Sequence, residues 1–137
     1  MSIATEKVIF PWRPAYSVGI PQIDSEHQGL VKLINDFYLA MMERKAKEVL
    51  TRVIDELIVY TERHFKNEES MLASKRYARL AEHSAVHKKL TGEVYELRDH
   101  VRSGEITATI EVSKFLKDWL ANHIMTHDQA YAKVLNG

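Results

Sequence analysis

Apolar side chains recur at three- and four-residue intervals along most of this chain, which is the spacing of an amphipathic helix. Strict alternation of apolar and polar positions, which marks a half-buried strand, is absent. Four segments carry the helical spacing: one begins near Pro21, and the others cover about residues 50–71, 80–103 and 112–124. Short turns between helices of similar length favour antiparallel neighbours, so the sequence predicts an all-α, up-down-up-down antiparallel four-helix bundle.

The first 20 residues depart from this pattern. Pro11, Pro14 and Gly19 precede Pro21, and no proline follows it. Because proline and glycine interrupt regular structure, residues 1–20 are predicted to form an irregular N-terminal arm. Residues 21–137 are predicted to form the bundle. A chain of 137 residues is long enough to bury one core, so we expect arm and bundle to make a single domain.

Composition excludes several classes of function. Nineteen basic and nineteen acidic residues give a formal net charge of +0, which argues against nucleic acid or an anionic membrane as a partner. Because no basic segment with a long apolar run opens the sequence, we expect no signal peptide; no apolar stretch is long enough to span a bilayer, so we expect a cytoplasmic protein. No apolar stripe is expected to be exposed, which favours a monomer. Because cysteine is absent, disulfides, Fe–S clusters and Cys-ligated zinc are excluded.

Histidines and carboxylates fall on or beside the apolar stripes of the predicted helices. His64 and Glu68 are four residues apart, and His83 and His87 repeat that spacing, so each pair projects from one helix face. His100 lies far down the third helix and is expected at the surface. In an antiparallel bundle, the starts of the first and third helices lie beside the ends of the second and fourth. The donors expected to converge there are His27, His64, Glu68, His83, His87, His123 and either His127 or Asp128.

This cluster predicts a metal site, because burying many imidazoles and carboxylates together without a cation would be costly. The donors are too many for one tetrahedral zinc and suit two first-row ions bridged by carboxylates, with one position open. The His83/His87 pair is not a zincin motif, because Ser84 stands where that motif has glutamate. The ferritin-like di-iron pattern also fails, since no histidine has a glutamate three residues before it.

The last donor on the fourth helix is ambiguous on geometry alone. His127 follows His123 by four residues and stays on its face of a regular helix. Asp128 follows by five residues and is rotated by about 140° from His123 on an ideal α-helix. Regular helix geometry therefore favours His127.

The motifs resemble those of the hemerythrin family in its single-domain bacterial form, and the resemblance spans nearly the whole chain. Myohemerythrin is an established example of the up-down bundle, so the resemblance implies the fold that the periodicity predicts. The matching motifs are Trp12 and Gly19-Ile20 in the arm, Asp24-x-x-His27, His64-Phe65-x-x-Glu68-Glu69, Tyr77 ahead of His83-x-x-x-His87, and Trp119-Leu120-x-x-His123-Ile124-x-x-x-Asp128.

The resemblance implies two irons with an oxo or hydroxo bridge. Three histidines would hold a saturated iron, two would hold an iron with an open position, and two carboxylates would bridge both. These are, in order, His83, His87 and His123, then His27 and His64, then Glu68 and Asp128. The resemblance thus favours Asp128 over His127. It also implies an apolar oxygen pocket lined by Trp119, Leu120 and Ile124, with Tyr77, His127 and Tyr131 as candidates for contacts around the ligands.

The function implied is reversible dioxygen binding, for oxygen storage, transport or delivery to an oxygen-consuming recipient protein, and not enzymatic turnover. Two carboxylates stabilise high-valent iron poorly, and a dry apolar pocket limits protonation by water, so both features favour reversible binding. The alternatives are a di-iron redox enzyme (peroxidase, oxidase or nitric oxide reduction) and an oxygen sensor acting through a separate partner. Glu26 and Glu69 adjoin candidate ligands and are expected to point off the ligand face into solvent.

Overall fold

Helices dominate the computed structural model, which describes residues 8–104 and 110–136. The first seven residues of the predicted arm, and Gly137 at the end of the predicted bundle, lie outside these ranges. A 3₁₀ turn covers Pro14–Tyr16, and a π-helical turn covers Ile124–Asp128. The helices are α1 (Pro21–Met42), α2 (Lys47–Ser74), α3 (Leu80–Ser103), α4 (Ile110–His123) and α5 (Gln129–Asn136).

Helices α1 to α4 form the antiparallel four-helix bundle, which confirms the predicted fold. Helix α2 packs against α1 and α3, and α1 packs against α4. Pro21 occupies the first turn of α1, where its missing N–H leaves no hydrogen bond unmade. Gly104 ends α3 with a φ of 82°, a left-handed conformation that glycine adopts without steric cost. No helix in the described residues is both long enough and apolar enough to cross a membrane.

The apolar stripes meet in two separate clusters. A main core fills the bundle, and a smaller cluster lies near the bundle end where α1 begins. Buried members of the main core include Leu30, Ile34, Phe37, Ile54, Leu57, Val94, Leu116, Leu120 and Ile124. The smaller cluster contains Val18, Ile23, Leu72, Tyr131 and Ala132. Each buried aliphatic or aromatic side chain stabilises the fold by about 1.5–3 kcal/mol relative to an exposed one.

Hydrogen bonds from asparagine and glutamine side chains hold the described part of the arm against the bundle. The Asn35 Oδ1 accepts hydrogen bonds from the backbone N–H groups of Ile9 (3.1 Å) and Phe10 (2.9 Å), and Phe10 is fully buried. Asn35 Nδ2 in turn donates to the Phe10 carbonyl. Gln129 Nε2 donates to the carbonyl of Ser17, and Asn136 Nδ2 donates to that of Val18. The arm therefore packs against α1 and against α5.

Candidate metal centre

Seven predicted donors lie together at the bundle end where α1 and α3 begin and α2 and α4 end. Each of them is at most 4% exposed. They are His27 from α1, His64 and Glu68 from α2, His83 and His87 from α3, His123 from the end of α4, and Asp128 from the π-helical turn. The structure therefore brings together all seven residues at the helix ends that the topology predicts.

The donor atoms fall into two groups, in each of which they lie within 4.8 Å of one another. The five-donor group consists of Glu68, His83, His87, His123 and Asp128. The three-donor group consists of His27, His64 and Glu68. Glu68 belongs to both groups.

The two oxygens of Glu68 face different histidines. Its Oε1 lies 2.8 Å from the Nε2 of His83 and 2.9 Å from the Nε2 of His87. Its Oε2 lies 3.6 Å from the Nε2 atoms of both His27 and His64. One oxygen therefore serves the five-donor group and the other serves the three-donor group, as a carboxylate that bridges two cations must do.

Asp128 divides its oxygens in the same way. Its Oδ1 lies 3.1 Å from the Nε2 atoms of His83 and His123, both in the five-donor group. Its Oδ2 lies 3.1 Å from the Nε2 of His27, which belongs to the three-donor group. Two carboxylates from different elements thus repeat one geometry, which supports two adjacent cation positions.

The π-helical turn explains how Asp128 reaches the donors. In such a turn the backbone hydrogen bonds join residues five apart rather than four. Asp128, five residues after His123, therefore returns to the face of His123, where a regular helix would have turned it away. His127 is only partly buried at the rim, with its ring 5.4 Å from that of His123. The fourth helix thus departs from the regular geometry that favours His127.

Glu26 and Glu69 were expected to point into solvent, and this expectation is wrong, because each contacts a histidine of the donor set. Glu26 Oε1 accepts a hydrogen bond of 2.6 Å from His64 Nδ1, and Glu69 Oε2 accepts one of 2.7 Å from His87 Nδ1. Both carboxylates do point off the ligand face of their own helix, but each meets a neighbouring helix there. Metal-binding histidines usually donate their second N–H to a carboxylate or carbonyl. The presence of glutamates next to candidate ligands could therefore have predicted these contacts from the sequence.

These outer contacts orient the histidine rings. An ionised carboxylate only accepts hydrogen bonds, so the Nδ1 atoms of His64 and His87 donate to Glu26 and Glu69, and their Nε2 atoms face the centre. Burial raises the pKa of Glu26, but hydrogen bonds from His64 and Asn67 outweigh burial and lower that pKa below its ordinary value. Glu69 also accepts a hydrogen bond of 2.8 Å from Ser84 Oγ.

The other residues predicted around the ligands take different positions. Tyr131 is fully buried and donates a hydrogen bond of 2.9 Å to Glu68 Oε2. Burial and the charges of Glu68 and Asp128 raise the pKa of Tyr131 far above its ordinary value, so it stays a neutral donor. Tyr77 contacts the ring of Tyr131, with 6.1 Å between centroids. Burial and the nearby imidazoles of His123 and His83 lower the pKa of His127, which favours its neutral form.

The buried polar atoms at the centre fit a cation. Within the described residues, the Nε2 atoms of His27, His64, His87 and His123 and both oxygens of Asp128 are buried without a hydrogen bond of good geometry, although several of them lie within ion-pair distance of one another. Imidazole nitrogen and carboxylate oxygen are donors that first-row metal ions accept. A cation between them would satisfy atoms that are otherwise costly to bury.

Protonated histidines supply positive charge in the metal-free protein. Burial lowers the pKa of His27, but its contacts with Asp128 and Glu68 outweigh burial and raise that pKa to about 9. The same causes raise the pKa of His83 to about 9. Burial raises the pKa of Glu68, yet its histidine contacts bring that pKa well below the ordinary value. Two buried carboxylates thus remain ionised and require a positive partner.

The donors lie between the two apolar clusters. On α1, Ile23 of the smaller cluster precedes His27, and Leu30 of the main core follows it. On α2 the order is reversed, from Ile58 in the main core to Leu72 in the smaller cluster. Water is therefore excluded from both sides of the donor layer along the bundle axis.

The three residues predicted to line an oxygen pocket belong to the main core. Leu120 is 1% exposed and Ile124 is fully buried. Trp119 is also buried, and its Nε1 donates a hydrogen bond of 3.2 Å to the Leu90 carbonyl on α3. Trp119 additionally borders an open cavity of about 440 Å³, together with Phe115. Leu120 and Ile124 therefore face the interior, whereas Trp119 closes the seam between α3 and α4.

The fold and the donor set define a four-helix-bundle protein with a buried cation-binding centre. The sequence model of the hemerythrin HHE cation binding domain matches residues 18–135, and the chain therefore belongs to the hemerythrin family.

Relatives of similar length support this assignment. The chain is 35% identical over 123 residues to a bacteriohemerythrin of Stenotrophomonas maltophilia, covering 88% of this chain and 78% of that protein. It is 30% identical over 129 residues to a bacteriohemerythrin of Methylococcus capsulatus, covering 93% and 98%. A crystal structure of wild-type hemerythrin superposes with a TM-score of 0.83 at 28% identity, covering 95% of this chain and all of that one.

Proposed function

We propose that this protein binds dioxygen reversibly at a non-haem di-iron centre. The observation that carries the proposal is the inequality of the two donor groups, which share bridging carboxylates but not the same number of histidines. One group has histidines His83, His87 and His123, and the other has His27 and His64. The group with fewer donors leaves room for an exogenous ligand. The similarity to bacteriohemerythrins supports dioxygen as that ligand.

The proposed ligand set follows the division of the donor atoms. Three histidines would hold one iron, two would hold the other and leave it open to a further ligand, and both carboxylates would be shared beside an oxo or hydroxo group. The residues are His83, His87 and His123 for the first, His27 and His64 for the second, and Glu68 and Asp128 for the bridges.

The protein's own side chains would prepare and protect this centre. When bound, the two irons supply exchangeable electrons and an open coordination position for dioxygen. Glu26 and Glu69 hold the rings of His64 and His87 through their Nδ1 atoms, so the Nε2 atoms would be oriented toward the centre before metal binds. The Tyr131 hydroxyl donates to Glu68 and keeps that carboxylate in place.

The apolar surroundings favour release of dioxygen unchanged. Leu120 and Ile124, in the main core on one side of the donors, exclude water, and with it a source of protons, from that side of the centre. We therefore propose storage, transport or delivery of oxygen to a recipient protein rather than an enzymatic role. We further propose that residues 1–20 and 21–137 form a single domain and that the protein is a cytoplasmic monomer.

Oxygen titration of the anaerobically reduced, iron-loaded protein tests this function. We expect a visible absorption band that develops with added oxygen and disappears on deoxygenation over repeated cycles. The His64→Ala variant is expected to lose the band, because His64 is one of two histidines at the three-donor group. Rapid, irreversible oxidation with release of peroxide would contradict the proposal and favour a di-iron enzyme. A reversible band at full strength in the variant would contradict the ligand assignment.

A further inference from the structure

Thr61 differs from two other threonines on the bundle helices. Thr51 Oγ1 donates to the Lys47 carbonyl at 2.9 Å, and Thr91 Oγ1 donates to the His87 carbonyl at 2.8 Å. Both use the carbonyl four residues earlier, which is the ordinary local partner of a helical threonine. Thr61 is fully buried, and its Oγ1 has no hydrogen-bond partner among the residues that the structure describes. Its hydroxyl is therefore buried without the local compensation that the other two have.

The position of Thr61 places this hydroxyl beside the three-donor group. Thr61 precedes His64 by three residues on α2, so the two side chains share one helix face about one turn apart. Leu30 follows His27 by three residues on α1 and lies in the main core. Thr61 thus lies on the main-core side of the three-donor group, in a layer otherwise formed by apolar side chains such as Leu30 and Leu120.

A buried hydroxyl without a partner lowers the stability of the fold, and valine would fill the same space without that cost. Polar groups that reduce stability are characteristic of functional sites. A threonine hydroxyl is also a weak acid, so it donates a hydrogen bond to an anionic ligand without giving up its proton. Such a donor stabilises a charged oxygen ligand in a dry pocket while preserving reversibility.

We propose that the Thr61 hydroxyl is the hydrogen-bond donor to the small ligand, dioxygen or an anion such as azide, that enters beside His27 and His64. The inference rests on the proposed di-iron function and adds to it a residue that discriminates between ligands. Ligands that carry negative charge on the atom nearest Thr61 gain this hydrogen bond, and neutral ligands gain little.

Azide titration of the oxidised, iron-loaded protein tests this role. Thr61→Val should weaken azide binding about 10-fold, as expected for loss of one hydrogen bond to a charged ligand. Thr61→Ser should keep azide affinity near that of the unaltered protein, and Thr51→Val, which removes a hydroxyl far from the centre, should leave it unchanged. Iron content should be equal in all of them. Unchanged azide affinity in Thr61→Val, or loss of its iron, would overturn the proposal.

Unfolding of the metal-free proteins by denaturant supplies a readout that is independent of iron. We expect metal-free Thr61→Val to be at least as stable as the unaltered protein, because the substitution removes a buried hydroxyl that has no partner. Lower stability of that variant would show that the hydroxyl has an internal role, and would also overturn the proposal. If the unaltered protein holds iron but binds neither oxygen nor azide, the proposed function itself is wrong.

Discussion

The five-donor and three-donor groups share a carboxylate and a level in the bundle, but their histidines come from different helices. The histidines of the first come from α3 and α4, and those of the second come from α1 and α2. In the five-donor group His87 is also stacked on Phe65, with 3.8 Å between ring centroids and 2° between planes. The comparison shows two donor groups that contact the same carboxylates but differ in their number of histidines, and the proposed function places the ligand on the side with fewer histidines.

In each group, one histidine also donates a hydrogen bond to a glutamate outside the donor set. Glu26 holds His64 in the three-donor group, and Glu69 holds His87 in the five-donor group. The side chain of Glu26 is 16% exposed and that of Glu69 is 31% exposed. Because hydrogen bonds weaken with access to water, we expect the hydrogen bond between Glu26 and His64 to be stronger than the one between Glu69 and His87.

The largest effect should come from removing a residue that serves both groups. Asp128→Ala deletes one of the two oxygen-sharing carboxylates and leaves His27, His83 and His123 without that partner. We expect the variant to lose most of its iron after reconstitution, measured as iron per protein.

His127→Ala is the matched control, because His127 is adjacent in sequence but only partly buried. It should retain iron near the level of the unaltered protein. If His127→Ala loses iron and Asp128→Ala keeps it, the π-helical turn does not present the ligand and the assignment of Asp128 is wrong.

An intermediate effect should separate the two groups. Glu26→Gln and Glu69→Gln each replace an outer carboxylate by an amide of similar shape, and loss of such partners lowers metal affinity by about 10–100-fold. Glu26→Gln should act on the three-donor group and reduce oxygen binding more than it reduces total iron. Glu69→Gln should act on the five-donor group, so its loss of oxygen binding should follow its loss of iron. Competition with a chelator measures iron affinity, and oxygen titration measures oxygen binding. If both variants lose iron and oxygen binding in the same proportion, the two glutamates do not act on separate donor groups.

The smallest effect concerns pH and is confined to the metal-free protein, where each group contains one histidine with a raised pKa. The pKa values of His27 and His83 rise to about 9 in the fold, against about 6.5 in the unfolded chain. Protonation therefore stabilises the fold fully below about pH 6.5, and this stabilisation is lost as pH rises through about 9. Denaturant midpoints of the metal-free protein should fall between these values.

The iron-loaded protein provides the control for this pH dependence. Its histidines must be neutral to bind metal, so the fall in stability between about pH 6.5 and 9 should be absent. A metal-free protein with a flat profile over that interval would contradict the paired, protonated histidines. A fall of equal size in both forms would place the titrating group outside the centre.

Local spacing made much of this molecule predictable. The helical period predicted four helices with apolar faces. Because short turns make neighbouring helices antiparallel, it followed that the seven donors meet at one end of the bundle. The four-residue spacing of His64 with Glu68, and of His83 with His87, survives in the structure because α2 and α3 are regular there. Helix α3 covers Leu80–Ser103, which are the bounds that the helical spacing predicts.

The outer glutamates show where that reasoning stops. Sequence spacing correctly turns Glu26 and Glu69 off the ligand face of their own helices, but it does not say what lies opposite. The rotation and crossing of neighbouring helices decide that, and they bring the carboxylates to His64 and His87. An interpretation restricted to one helix at a time therefore mistook these inter-helix contacts for solvent.

The sequence by itself determined the bundle, the donor types and the end at which they meet, because helix period and chain direction are local properties. Only the tertiary structure decided that the fourth helix opens into a π turn, which brings Asp128 to the donors and leaves His127 at the rim. It also decided that Thr61 lacks the carbonyl partner that Thr91 has. These features depend on backbone irregularity and on packing between helices, which residue spacing along one helix does not encode.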